Sequence, residues 1–413
     1  MFKVVESFSG IGSQAKALER IGKKFEIVNT VEWDTTAILA YYFIHKKVDF
    51  SKYEKIGDGE ILKSLKNLTL SSDGKSPMNE KSIERIPFHL RRKLYTAIKD
   101  TKNLVSITDV KGEDIPEDID LFTYSFPCQD LSACGYWTGN KSGISRDAHN
   151  RSGMLWEVER ILLEMNKKNR VLPKFLLMEN VTNILSKMHE KDFNDWKSTL
   201  ENLGYYNKVY RLNALNFGVP QKRERAYMIS VKCDNDKNLI DQLDRYFASH
   251  DLEKGEAEKL RKRNLKLKDI LCLDYSVDKY RNEADESKPN DTPSRREIEK
   301  DNVMLFDGEN VKEICVKTVT TKQDRNPNSG LIMYENHAEG KTKWRYLTPR
   351  ECFKLMGFDE KDFDKILINN PQVTKNRKMY SKDKLIKLAG NSIVVDVLEA
   401  IFRQIMEIND LYF

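Results

Sequence analysis

The stretch FSGIGSQAKALE, residues 8–19, places Gly10, Gly12 and Ala15 in the spacing GxGxxA. An apolar run from Phe2 to Phe8 leads in and a helix-like stretch leads out. That is the outline of a strand, a tight turn and a helix whose first amides face a ligand. Twenty residues past Gly12, Glu32 closes a second apolar stretch, FEIVNTVEW, where a carboxylate can accept hydrogen bonds from ribose hydroxyls. The pattern implies an adenosine-containing cofactor. By itself it leaves NAD, FAD and S-adenosylmethionine open.

Working outward, residues 2–44 read as strand, helix, strand, helix, the opening of a doubly wound α/β domain. Residues 45–100, rich in Lys, Ser and Asp, break that rhythm and look like a charged, partly helical insertion. Strand-like runs return at LVSITDV (104–110), IDLFTYSF (119–126) and FLLMENV (175–181), the last preceded by the helical SGMLWEVERILLEM. YNKVYRLNA and ERAYMISVK close this half near Lys232. Residues 233–300 lose the rhythm and carry two amphipathic helical patches, and ESKPNDTPSRRE within them reads as an exposed loop. Near the end, GNSIVVDVLEAIFRQIMEI has a 3.6-residue apolar period, with Asn391 and Ser392 as cap candidates.

The 413 residues allow two or three domains, 32% of residues are charged, and the net charge is +6. That modest basic excess permits a polyanionic partner without requiring one. The six cysteines form no CxxC pair, which speaks against zinc and for reduced thiols. No signal-like N-terminus and no apolar stretch approaching eighteen residues is found, so a cytoplasmic protein without a membrane span is expected.

Three peptides carry chemistry. FTYSFPCQDLS (122–132) delivers Pro127 and Cys128 to a strand end, where open α/β sheets bind ligands. A free cysteine is ordinarily a small packed apolar group. At a strand end before a polar turn it is also suited to be a nucleophile, because a thiolate attacks at neutral pH with little help. LLMENV places Glu179, Asn180 and Val181 beside it, and a Glu closing an apolar run is either a helix cap or a working carboxyl. In QKRERAYMIS (221–230), period two sets Arg223 and Arg225 on one face as a pair of forks for phosphate or a base edge. The plain alternative is a solvated surface strand.

Taken in order, FSGIG, FPCQDLS, MENV, QKRER, RYLTPRECFKLMGF and GNSIVVDVLEAI resemble the ordered motifs of the DNA (cytosine-5)-methyltransferase family. The stretches LFTYSFPCQDLS, RSGMLWEVERIL and LPKFLLMENV resemble its CpG-type bacterial members. Residues 233–345 show no such match. The resemblance implies a Rossmann-like, S-adenosylmethionine-dependent methyltransferase domain over 1–232. A smaller target-recognition domain would be inserted at 233–372, and residues 373–413 would return to the catalytic domain. It implies Cys128 as the nucleophile, presented by Pro127, with Glu179 acting at cytosine N3, Arg225 at O2, and Arg223 on the phosphate or the Cys loop. Phe8, Gly10, Gly12, Glu32, Trp33, Asp109, Val110, Leu155, Asn391 and Ile393 would hold the cofactor. Gln129, Ser132, Arg223, Thr320, Lys322, Gln323 and Arg325 would meet DNA, with Asp324 a further candidate.

The partner so implied is double-stranded DNA, met by a monomer in a bacterial cytoplasm and held near the nucleoid by that binding. No metal is expected, and a cognate restriction endonuclease is a candidate partner. A tRNA (cytosine-5)-methyltransferase shares the fold and the ring chemistry, but it usually carries PPCQ followed by Phe-Thr where this chain has FPCQDLS. An NAD-dependent oxidoreductase would leave PCQ, ENV and the paired arginines without a role. A non-catalytic homologue would lack the Cys or the Glu.

Overall fold

The computed structural model describes residues 1–127, 131, 144, 151–325, 328–336 and 338–413, with the backbone alone at 151 and 152. The chain forms two compact units. Unit 1 takes in Met1–Leu212, Glu224–Lys259 and Ile401–Phe413; unit 2 takes in Asn213–Arg223 and Leu260–Ala400.

Unit 1 is built on one six-stranded sheet. Its strands are β1 (Phe2–Ser7), β2 (Phe25–Val31), β3 (Leu121–Tyr124), β4 (Phe175–Val181), β5 (Tyr205–Asn213) and, after the two-residue β6 (Gln221–Lys222) of unit 2, β7 (Glu224–Lys232). The order across the sheet is β2-β1-β3-β4-β7-β5. β2, β1, β3 and β4 run parallel, and β7 is antiparallel to β4. Chain order reverses between β1 and β3, the kind of switch point outside which ligands bind in doubly wound sheets. Helix α1 (Ser13–Ile21) returns β1 to β2, and α2 (Thr35–His45) follows, capped by the Asp34 carboxylate accepting from Thr36 N at 2.9 Å. All of α2 except His45 itself is buried, as the apolar run Ala37–Ile44 demands. On one face of the sheet Phe122, Leu176 and Met178 pack with Val158, Ile161, Leu162 and Trp196.

Residues 45–100 are partly helical, as their sequence implies. They fold as α3 (Asp58–Lys66), α4 (Glu80–Glu84) and α5 (Phe88–Asp100), with Ile61, Leu65, Leu90, Leu94 and Ile98 buried.

Unit 2 holds a three-stranded sheet of Trp344–Arg345, Leu331–Met333 and Met304–Phe306, with Ile298, Leu331, Trp344 and Tyr346 at its core. β6 pairs with Val316–Lys317. The final helix, Val395–Tyr412, begins within unit 2 and ends within unit 1.

Three local expectations fail. LVSITDV is not a strand: Val105 has φ +67°, and Asp109 N donates to Ser106 O at 3.0 Å, so the segment coils. ESKPNDTPSRRE is not simply an exposed loop, because Ser287 and Lys288 are buried and Pro293 opens the helix Pro293–Asp301. Asn391 and Ser392 do not cap the last helix. Asn391 ends the helix Lys382–Asn391, Ser392 is extended (ψ 158°), and the last helix starts at Val395.

Candidate active site

The glycine loop leaves the carboxyl edge of the sheet through three left-handed residues, Phe8 (φ 53°), Gly10 (φ 54°) and Gly12 (φ 83°). Glycine costs nothing at such angles, whereas Phe8 does. Ser9 N donates to Val31 O at 3.2 Å and Gly12 N to Ser9 O at 2.8 Å, which closes the turn. Space above Gly10 is open, with no atom within 4 Å of a would-be Cβ. Glu32, just past β2, accepts from Gly10 N at 3.0 Å and from Asp34 N at 2.8 Å. Burial, and then the neighbouring Asp34 charge, push its carboxyl up to about 7.

Two holders of this region escaped the sequence reading. Asn103 accepts from Glu32 N at 3.0 Å and donates to Glu32 O at 2.9 Å, fixing the backbone that carries the carboxylate. Arg160, on the helix Leu155–Lys167, donates to the carbonyls of Ile107 (3.2 Å) and Val110 (2.8 Å). That guanidinium shapes the segment bearing Asp109, which is exposed, and Val110, which is buried. Leu155 opens the same helix and is buried, while Trp33 is half-buried. Neither holder had a pattern to betray it, since a lone Asn and a helix-face Arg are ordinary surface residues.

Ser7 pairs with Tyr124 and Tyr124 with Met178, so the glycine loop, Pro127 and Glu179 leave neighbouring strands at one sheet edge. Asn180, the middle residue of ENV, donates from Nδ2 to Phe126 O at 3.1 Å and ties the two strand ends together. Glu179 is a strand residue and no helix cap. Its Oε1 lies 3.5 Å from Arg225 Nε, with both side chains largely buried. The antiparallel register sets Arg225 opposite Val181, two residues from Glu179. Cys128, Gln129 and Ser132 lie outside the described residues.

The two arginines of QKRER do not form a presented pair. Arg225 belongs to β7 of unit 1, whereas Arg223 is buried in unit 2. Arg223 donates to Val319 O at 2.8 Å, Gly390 O at 3.1 Å and Ser392 O at 2.9 Å. The guanidinium thus holds the turn that ends the helix Lys382–Asn391. Within the same unit Asn391 is exposed and Ile393 buried. In the candidate recognition loop Lys322, Asp324 and Arg325 are exposed and Thr320 is half-buried, its hydroxyl donating to Lys322 O at 2.6 Å. Gln323 is only 2% exposed and accepts from Ser329 N at 3.3 Å, so it braces the loop instead of offering itself to a base.

The family described as C-5 cytosine-specific DNA methylase matches residues 2–72 and 89–407. The chain belongs to that family. It is 33% identical over 411 residues to the type II methyltransferase M2.ScrFI of Lactococcus lactis subsp. cremoris, covering 98% of this chain and 99% of the relative. It is also 33% identical over 413 residues to the orphan methyltransferase M.SssI of Spiroplasma monobiae, covering 98% and 97%. Among solved structures, an S. pombe Dnmt2 methyltransferase overlays with a TM-score of 0.58 at 18% identity, covering 100% of this chain and 99% of that one. At that identity the likeness speaks to the fold alone. The sequence relatives make the chain a DNA (cytosine-5)-methyltransferase, and the oxidoreductase reading of the glycine loop falls away. The match also runs through residues 233–345, where none was expected, and its one gap, 73–88, lies inside the 45–100 helical region.

Proposed function

We propose that this methyltransferase acts on a cytosine flipped out of a specific sequence in duplex DNA, with S-adenosylmethionine as methyl donor and Cys128 as nucleophile. The observation that carries the reading is the convergence of the glycine loop, Pro127 and the Glu179–Arg225 pair on one sheet edge. Cytosine C5 is a weak nucleophile, and in a stacked duplex it is out of reach, so the base must be extruded and the ring activated. The Cys128 thiolate forms a bond to C6 and turns the ring into an enamine. Glu179 relieves the resulting charge by a proton or hydrogen bond at N3, and Arg225 holds O2, donors aimed at charge as it develops. When bound, S-adenosylmethionine supplies an electrophilic methyl group to C5. Loss of the C5 proton then expels the Cys128 thiolate and restores the aromatic ring.

The donor fits the residues present. Open space over Gly10 admits its methionine end, and Glu32, whose partners among the described residues are backbone amides, can accept from the hydroxyls of a ribose. Phe8, Trp33, Asp109, Val110 and Leu155 complete its seat in unit 1. Residues 233–372 read the target, with Lys322 and Arg325 as base or phosphate contacts. The enzyme works as a monomer in the cytoplasm; no helix among the described residues is long and apolar enough to cross a membrane. A cognate endonuclease would be its partner in restriction.

Duplex DNA carrying 5-fluorocytosine should trap a covalent adduct with the wild type and none with Cys128→Ser, which should still bind the donor. An adduct with Cys128→Ser would remove the nucleophile assignment. Tritiated methyl transfer onto tRNA but onto no duplex would overturn the DNA substrate while leaving the ring chemistry standing.

A further inference from the structure

His45, the last residue of α2, has its imidazole packed beneath the glycine loop. Nε2 lies 3.0 Å from the carbonyl oxygen of Ile11, and Nδ1 lies 3.1 Å from Glu19 Oε1 on α1. Its side chain is 3% exposed. A backbone carbonyl only accepts, so Nε2 must carry a proton. An ionised carboxylate also only accepts, and a bare Nδ1 lone pair facing it would repel. Only the doubly protonated ring serves both partners.

Glu19 also faces Lys16 Nζ at 3.8 Å. The Tyr41 ring lies against the imidazole at 4.7 Å between centroids, and its hydroxyl donates to Glu6 at 2.9 Å. From below, then, α1 contributes Glu19 and Lys16, and β1 contributes Glu6 through Tyr41. The fit is close enough to dictate the loop sequence: a Cβ on Gly12 would sit 2.8 Å from Tyr41 Cε2 and overlap the His45 ring.

We infer that His45 is a positioning residue for the methyl donor: as an imidazolium it clamps the Ile11 carbonyl, and through Glu19 it locks the loop at residues 10–12 onto α1. It touches no reacting atom. The clamp sets the direction of the loop amides and therefore the affinity for the donor. This rests on the loop being the donor's seat, as proposed above.

The test is calorimetric binding of S-adenosylhomocysteine to the full chain. His45→Ala should weaken binding about tenfold, the scale of one lost charge-assisted hydrogen bond, while kcat at saturating donor stays within about twofold. His45→Gln, whose amide can still donate to Ile11 O, should recover part of the loss even if the alanine variant folds poorly. Glu19→Gln, able to donate to a bare Nδ1, should shift the ring to a singly protonated form and weaken binding, though by less than His45→Ala. Selective 15N labelling of the six histidines would read that change, with the His45 signals identified by their loss in His45→Ala. Equal affinity in His45→Ala and wild type, a loss confined to kcat, or a bare Nδ1 in the wild type would each overturn the inference. Failure of the wild type itself to bind would instead overturn the donor assignment beneath it.

Discussion

Glu32 in unit 1 and Glu351 in unit 2 are both carboxylates removed from bulk water, and they are treated in opposite ways. Glu351 takes Arg345 Nη1 and Nη2 at 2.8 and 2.9 Å, Thr348 N at 2.8 Å and Cys272 N at 2.8 Å. Burial alone would raise its pKa, yet the Arg345 guanidinium and those amides hold it below the ordinary carboxylate range. Glu32 takes only backbone amides, those of Gly10, Trp33 and Asp34, and no cation among the described residues, so burial and Asp34 win and push it to about 7. Glu6, one strand residue before the loop, follows Glu32: burial lifts it to about 8 against the pull of Tyr41 and the first amides of α1. A buried charge with every acceptor site filled belongs to the architecture, and one left short of donors marks where a ligand supplies them.

The largest effect should come from breaking the filled site. Arg345→Met strands a fully buried Glu351, and losing one partner of such a pair costs about 3 to 5 kcal/mol. Denaturant unfolding should show that loss, while S-adenosylhomocysteine binding at low temperature persists. A loss below about 1 kcal/mol would mean that Thr348 and Cys272 suffice, and the contrast with Glu32 would collapse. At the sheet edge the response should be reversed. The Glu179–Arg225 contact at 3.5 Å is longer than a hydrogen bond, and Glu179→Gln keeps the side-chain shape. Glu179→Gln should therefore leave the melting temperature nearly unchanged yet lower turnover at least about tenfold, or 1.4 kcal/mol of barrier. A stability loss with turnover intact would make Glu179 architectural as well.

Much of this contrast was legible in the chain. FSGIG, MENV and the strand runs IDLFTYSF and FLLMENV have local signatures, because positive φ angles and buried parallel strands each restrict residue type at fixed spacing. Thr348-Pro-Arg-Glu351 likewise carries its capping box openly, with Thr348 N donating to Glu351 and Glu351 N to Thr348 Oγ1. What stayed hidden depends on partners distant in sequence. Arg223 looks like the twin of Arg225 until three carbonyls 96 to 169 residues away engage it. LVSITDV has strand composition, but Asn103 accepts from Val105 N at 2.9 Å and Arg160 claims the later carbonyls, which no periodicity encodes. Asn391 looks like a cap to the final helix and instead closes the one before it.

The smallest effect sharpens the comparison from the ligand's side. Glu32 has a folded-state pKa near 7 against an ordinary value of 4.5. Between those values the folded chain keeps a proton that the unfolded chain releases, so this group's contribution to stability falls as pH rises through that window and is level above it. Ribose hydroxyls donate to the ionised carboxylate. Donor binding therefore expels the proton, and it should tighten as pH rises towards 8. With the bound form fully ionised, the gain attributable to Glu32 between pH 6.5 and 8 is about fourfold. Glu6 also titrates nearby, so the useful quantity is the ratio of S-adenosylhomocysteine Kd values for Glu32→Gln and wild type, in which shared contributions cancel. That ratio should climb about fourfold across the interval. A flat ratio would mean that the donor does not ionise Glu32, and that its raised pKa reflects burial alone.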